Sequence, residues 1–414
     1  MVSTKNIVVL GGSYGGVSSA HYILKHILPA LPTMSPFKVI LISTSSEILC
    51  RPACPRAMIS DELLPQAKLF VSIPEAFAQY PVQSFSFEQG TAARLDHSNR
   101  TISVKSSDGQ TEKTIDFFAL VIATGASTPS PLLGLNHDSE FLRKEWAAFR
   151  EALATAKSVV IAGGGPAGVE TAGELGEYLN GQAGWFSHKL ENPRVHITVV
   201  TSGSQILPLL RPSIAQKAEN YLARVGVTVI KNTKVTDVAP RDAGTANALT
   251  TNATVTLADG KPIKADIYIP ATGTTPNTAF VDQSLLEADG RVQTNISTLR
   301  VEKAGPRVYA IGDASSYARP AVHNIMSAVP VLCANIRRDL LLDAKVAETS
   351  VAVDRIFQED TRETQLVPIG TSKGVGVAMG YQIPSFLVRL IKGRDYWLWT
   401  TGKLWNGNQW AKET

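Results

Sequence analysis

The residues best placed to do chemistry are three glycines. Gly163, Gly165 and Gly168 stand in G-x-G-x-x-G spacing within KSVVIAGGGPAGVETAGE, from Lys157 to Glu174. Val159, Val160 and Ile161 predict a buried strand before them, and Val169 onward predicts a helix. In that setting the first glycine permits the tight turn and the second lets a pyrophosphate approach the backbone. The third lets helix and strand pack closely, and the amides of the helix N-terminus face the phosphate charge. This is dinucleotide-binding chemistry, and the chain offers it twice. NIVVLGGSYGG, from Asn6 to Gly16, is a second strand and glycine-rich turn, with Val17 to Ile27 as its helix. Ser13 replaces the middle glycine there, and its small side chain still admits a phosphate.

Dinucleotide folds usually place an acid on the ribose hydroxyls at the end of the next strand. Here Lys38 to Ile42 ends at Ser43, and His196 to Val200 ends at Thr201, so neither unit has that acid. Glu47 is a solvated loop carboxylate or a stand-in for it. The loop ILCRPACPRAMI carries other chemistry. Pro55 suits the first position of a helix, which leaves Cys54 near the N-cap beside Arg51 and Arg56, where a thiol has a lowered pKa. The competing reading makes Cys50 and Cys54 small apolar fillers. No metal site is expected.

The elements that must position these groups follow from pattern and turn chemistry. Val82 to Asp116 reads as short strands with an Asp108-Gly109 hairpin signal, and Phe118 to Ala126 as a strand closing on a Thr-Gly turn. A helix is expected near Arg143 to Thr155, another at Ala218 to Val225, and a strand at Val227 to Ile230. Val255 to Gly273 repeats the hairpin, strand and Thr-Gly turn. Arg307 to Ser315 gives a strand ending at Gly312 and Asp313, and a helix is expected from about Ser327 to Leu342. With 414 residues, 44% hydrophobic and 18% charged, the chain can bury a large core of two or three domains. A formal charge of +4 makes no case for nucleic acid. Three cysteines make no disulfide scaffold, which suggests a reducing, cytoplasmic setting. Met1 to Asn6 is polar and shows no signal peptide, and no apolar run approaches the ~20 residues that span a bilayer.

Taken in order, GGSYGG, IATGA, AGGGPAGVE, ATGTTPN and AIGDAS resemble the two-dinucleotide-domain flavoproteins of the pyridine-nucleotide-disulfide-oxidoreductase fold, over residues 5 to about 340. GVETAGE and the later RLIKGRDYW are similar to the apoptosis-inducing-factor-like, ferroptosis-suppressor-like branch. The resemblance implies an α/β chain in which an FAD domain is interrupted by an NAD(P)H domain, with a small C-terminal α+β region. The expected division is 1–150 and 266–342 for FAD, 151–265 for NAD(P)H, and 343–414 for the remainder. It implies that Gly11, Gly12, Ser13, Tyr14 and Gly15 line the FAD pyrophosphate, with Arg56 near the flavin nucleotide and Ala92 on the adenine side. Thr124, Gly125, Gly273, Gly312 and Asp313 complete the cofactor sites, Asp313 accepting from the ribityl chain. Gly163, Gly165, Gly168 and Thr201 belong to NAD(P)H. Glu170, in the first turn of its helix, is expected near both rings, unless it only complements the helix dipole. His323 and Asn324 fall where this fold passes beneath the flavin, and His323 has a catalytic and a structural reading.

The implied activity takes hydride from NAD(P)H onto FAD and passes electrons to a small acceptor, a quinone at or near a membrane. Two alternatives stand beside it: a disulfide, coenzyme A disulfide or persulfide reductase using Cys54, and an NAD(P)H-sensing FAD protein of slow turnover. The C-terminal stretch holds Trp397, Trp399, Trp405 and Trp410 among Arg389, Lys392, Arg394 and Lys403. Aromatic rings between basic groups suit a membrane or lipid-droplet surface, with Leu387, Leu390 and Ile391 on one helical face. Core packing or a homodimer contact is the competing reading.

Overall fold

In the computed structural model, residues 4–32 and 36–414 are described; the polar start read at Met1–Asn6 lies in part outside them. Strand Lys5–Leu10 is apolar without alternation because both of its sides are covered. Ile7 and Val9 pack with one core, beside Val17 and Ile336, while Val8 and Leu10 pack with another, beside Val104 and Val292. It pairs in parallel with Phe37–Ser43 on one side and Ala119–Ile122 on the other. Val308–Ala310 and Phe85–Asp96 extend the parallel sheet outward, and the antiparallel strands Thr101–Ser106 and Glu112–Asp116 complete seven strands.

The second sheet is wholly parallel, in the order Val227–Ile230, His196–Val200, Ser158–Ala162 and Ile267–Pro270. The units of the fold differ from the expected domains at two boundaries. Strand Ile267–Pro270 is hydrogen-bonded to Ser158–Ala162, so the second unit runs through 270 and not to 265. Helix Ser139–Thr155 crosses the boundary expected after 150 without a break, burying Leu142, Trp146, Phe149 and Leu153. The two units are joined where their Thr-Gly turns meet. Ala126–Ser127 pairs antiparallel with Thr275–Pro276, and the Asn277 amide donates to the carbonyl of Thr124 at 3.0 Å.

The long helix is Val322–Asp343, beginning five residues before the expected Ser327 and containing Pro330. Its N-cap is Ala321, with no side-chain cap, so the usual polar start signal is missing. The C-terminal region is a three-stranded antiparallel sheet, Gln365–Ile369, Lys373–Ala378 and Tyr381–Gln382, followed by short helices. Its inner residues Val367, Ile369, Val375 and Val377 share a core with Val169, Ala172 and Leu175 of helix Pro166–Asn180. That packing brings a segment from the end of the chain into the middle of the molecule.

Candidate active site

A cavity of about 850 Å³ lies between the two sheets. Its floor is the first glycine-rich turn, Gly11, Gly12, Ser13, Tyr14 and Gly15; Ala92, Thr124, Gly125, Gly165, Glu170, Gly273, Gly312 and Asp313 also line it. Each strand delivers its turn by a backbone bond: the Gly11 amide donates to Ile42 and the Ile311 amide to Ile122, at 2.8 and 2.9 Å. Gly11 sits at φ +116°, and a Cβ on Gly16 would strike the Gly11 carbonyl. Backbone amides are therefore left uncovered where a phosphate can approach. Cavity size, bare backbone and the wall carboxylate Asp313, 3.5 Å from the Arg51 guanidinium, fit a dinucleotide.

Several expected residues do not line this cavity. Gly163 and Gly168 shape their turn and only Gly165 reaches the wall; a Cβ on Gly168 would meet the Gly163 carbonyl. Thr201 is buried at the end of its strand, packed on Gly164 and off the wall. His323 is exposed in the first turn of helix Val322–Asp343 and does not line the cavity, so a role beneath the flavin has no geometric basis. Asn324 is buried and donates to the Arg319 carbonyl at 2.9 Å.

The cysteine loop also differs from expectation. Residues Arg51–Ala53 form a 3₁₀ turn that runs into helix Cys54–Ala57, and this turns Arg51 to the cavity and Arg56 away from it. Cys54 does stand at a helix start, yet it is fully buried and off the wall, and burial pushes its thiol up to about 12 against the pull of Arg51. Cys50 is likewise pushed up to about 11 by burial, and receives a bond from the Tyr14 hydroxyl at 3.6 Å. Desolvation outweighs the cationic neighbours, so neither thiol is an activated nucleophile.

Glu170 is the group that the geometry brings forward. The helix begins at Pro166, which puts Glu170 in the second turn and not the first, 4% exposed and on the cavity wall. Its partner is Lys392, 2.5 Å away from the C-terminal region, which also donates to the Leu366 carbonyl at 3.0 Å. Burial pushes the Glu170 carboxyl up to about 7, opposed by the Lys392 ammonium. Lys392, expected among the headgroup-facing basic residues, is instead buried against Glu170. Residues Arg389–Gly393 wind as a π turn after helix Ser385–Val388, which rotates Lys392 inward.

The tryptophans separate in the same way. Trp405 and Trp410 are buried against helix Tyr14–Tyr22, where Tyr14 meets Trp405 edge-on at 4.8 Å. Side chains of that helix and the next turn hold the tail backbone. His21 Nε2 bonds the Trp405 carbonyl and His26 Nε2 the Trp410 carbonyl, each at 2.8 Å, while Lys25 donates to Gly407 at 2.5 Å. These two rings are core. Phe386, Leu390 and Trp399 are the exposed apolar side chains of the segment, beside exposed Arg389 and Arg394.

With this geometry in view, comparison with known proteins is decisive. The family model described as pyridine nucleotide-disulphide oxidoreductase matches residues 5–330. The chain belongs to that family. It is 63% identical over 410 residues to oxidoreductase phnG of Penicillium herquei, covering 99% of this chain and 98% of that one. It is 24% identical over 411 residues to ferroptosis suppressor protein 1 of Homo sapiens, covering 96% and 95%. Among solved structures, NDH2 from Plasmodium falciparum in complex with NADH shares the fold at a TM-score of 0.64 and 13% identity, covering 99% of each chain. The chain is an NAD(P)H-dependent flavoprotein oxidoreductase, and its cofactors are FAD and NAD(P)H.

Proposed function

We propose that the chain passes electrons from NAD(P)H through FAD to a small quinone-type acceptor. The observation that carries this reading is the make-up of the cavity wall: none of Cys50, Cys54 and Cys333 lines it, and Glu170 is a buried carboxyl there, its pKa pushed up to about 7 by burial. Bound FAD supplies the hydride-accepting ring and returns the electrons. Reducing a quinone to a hydroquinone takes a hydride equivalent and one further proton. Glu170 is placed to hold that proton at its carboxyl, with Lys392 stabilising the carboxylate left behind. The glycine-rich turns bind phosphates, and Asp313, paired with Arg51 at 3.5 Å, lines the same wall as Ala271, Gly273 and Glu170. A reductase built on Cys54 loses its nucleophile to burial. Glu170→Ala is expected to slow flavin reduction or acceptor turnover at least tenfold, about 1.4 kcal/mol on the barrier, with FAD still bound. Stopped-flow traces equal to wild type in both half-reactions would reject the role, and slow turnover with every acceptor would favour the sensing alternative.

The acceptor also suggests a location. No helix among the described residues is long and apolar enough to cross a membrane. We propose instead a peripheral contact in which Phe386, Leu390 and Trp399 enter the headgroup layer and Arg389 and Arg394 meet its anionic charge. Flotation with anionic liposomes at low salt should carry the wild type and leave a Phe386→Ala, Trp399→Ala variant behind. If both stay soluble, the patch is a contact between copies of the chain or has no partner.

A further inference from the structure

Glu170 and Glu174 lie one turn apart on the same face of helix Pro166–Asn180, and both are buried. Lys392 and Tyr396, also four residues apart, face them in matching order. Lys392 meets Glu170 at 2.5 Å, and the Tyr396 hydroxyl donates to Glu174 at 2.9 Å. Only the Glu170 end of this double pair reaches the cavity. The other end is sealed by Arg56. Its Nε and Nη2 grip the two Glu174 oxygens at 2.8 and 2.7 Å, while Nη1 donates to the carbonyls of Gly393 and Arg394 at 2.8 and 3.1 Å. Nη2 also reaches the Gly370 carbonyl at 3.3 Å, and the guanidinium lies over the Tyr396 ring at 4.9 Å. One side chain thus ties helix Pro166–Asn180 to the two residues directly after Lys392.

The segment it holds is not relaxed. Arg394 donates to Arg389 in an i→i+5 turn at 2.7 Å, and Tyr396 and Trp397 follow at φ +52° and +68°, two consecutive side-chain-bearing residues in the left-handed region. Such backbone persists where its surroundings over-determine it, and it collects at functional sites.

We propose that Arg56, Glu174 and Tyr396 form a clamp that positions the Lys392 ammonium against Glu170. This rests on the reading of Glu170 as the proton-holding group. The charged and titratable groups facing Glu170 are Lys392, Glu174 and Arg56, with Tyr396 beyond them. Arg56 and Glu174 carry opposite charges, so their direct fields at Glu170 oppose each other. What their joint removal changes is the hold on Gly393 and Arg394. Lys392 then withdraws, Glu170 loses its nearest counter-charge, and its proton is held more tightly. Arg56 is accordingly a positioning residue with no place on the cavity wall.

The test reads Glu170 directly. In the FAD-loaded full chain, the infrared C=O stretch of its protonated carboxyl is identified by its loss in Glu170→Gln and titrated with pH. An Arg56→Met, Glu174→Leu double variant should raise the midpoint by about one unit or more, as an ion partner moving out of contact does. Lys392→Met should give a similar rise, and combining it with the double variant should add little. Arg56→Lys, which keeps the charge and loses the fork, should shift the midpoint in the same direction by less. An unchanged midpoint in a folded double variant overturns the clamp. If that variant fails to fold, Tyr396→Phe decides, a rise supporting the proposal and no change overturning it. Turnover by Glu170→Gln bears on the earlier reading alone: a wild-type rate there would sink the proton-donor role while the infrared midpoint still judged the clamp.

Discussion

At both glycine-rich turns the backbone solves the same problem in the same way. Gly11 and Gly163 sit at φ +116° and +123°, a Cβ on either would strike the carbonyl of Ala123 or Ala271, and Gly16 and Gly168 close on their carbonyls. Even the strand ends correspond, Gly12 packing on Ser43 as Gly164 packs on Thr201. The surroundings do not correspond. The first turn is the floor of the cavity, walled by segments around Ser43, Arg51, Ala92, Thr124 and Asp313, whereas the second contributes only Gly165 to Ala167 and Glu170. Similar turns therefore differ in how far other segments enclose them. A ligand enclosed by many segments leaves slowly, and one held at an open helix end comes and goes. That is the division needed between a resident FAD and a visiting NAD(P)H.

The largest expected effect comes from opening the enclosed site. Asp313→Ala removes the carboxylate opposite Arg51 and leaves a cation on the wall without its partner. The purified protein should lose most of its FAD, measured as the ratio of flavin to protein absorbance, while NAD(P)H affinity of the second turn changes little. A fully loaded variant would remove Asp313 from the flavin site.

A smaller effect is a pH dependence at the helix after the first turn. The helix after the first turn is latched by the C-terminal tail through His21, whose ring stacks on Phe77 at 3.8 Å and is pushed down to about 4 by burial, from an ordinary 6.5. Folded protein binds fewer protons at His21 than unfolded chain does between these values. The contribution is therefore intact above about pH 6.5 and lost as pH falls to about 4, a swing of about 3 kcal/mol. Denaturation at pH 7 and pH 4.5 should show His21→Gln losing less stability over that interval than wild type. An equal loss in both would mean that burial does not hold this ring neutral in the folded protein.

These differences mark the limit of what the residues disclosed. The sheets and both turns were legible because glycine spacing and apolar strands are local signals, while Glu170 was singled out by the family resemblance alone. Arg56 was expected near the flavin nucleotide and Arg51 lines the cavity instead, since the change from a 3₁₀ turn to a helix sends Arg51 to the cavity and Arg56 to Glu174. Lys392 was placed by a 3.6-residue period beside Arg389 and Arg394, and the π turn breaks that period without any sequence mark. Trp405 and Trp410 suited a membrane surface as well as a core, and what decides is helix Tyr14–Tyr22 and the turn after it, which offer His21, Lys25 and His26 to the tail. Long-range partners of this kind leave no pattern in either segment.

The smallest expected effect concerns which nicotinamide dinucleotide the open turn accepts. A carboxylate at the strand end after such a turn holds the ribose diol and repels a 2′-phosphate, and Thr201 stands there instead, with Ser43 at the matching place in the first unit. With neither the attraction nor the repulsion present, kcat/KM for NADH and NADPH should agree within about tenfold, a difference of no more than about 1.4 kcal/mol. Thr201→Asp supplies the missing acid and should move the ratio toward NADH by about tenfold, mostly through a higher KM for NADPH. Ser43→Asp puts the same group at the enclosed turn, so it should alter FAD retention and leave the nicotinamide ratio where it was. If Ser43→Asp shifts that ratio as far as Thr201→Asp does, the two turns are not divided between the two cofactors, and the contrast in their enclosure has another cause.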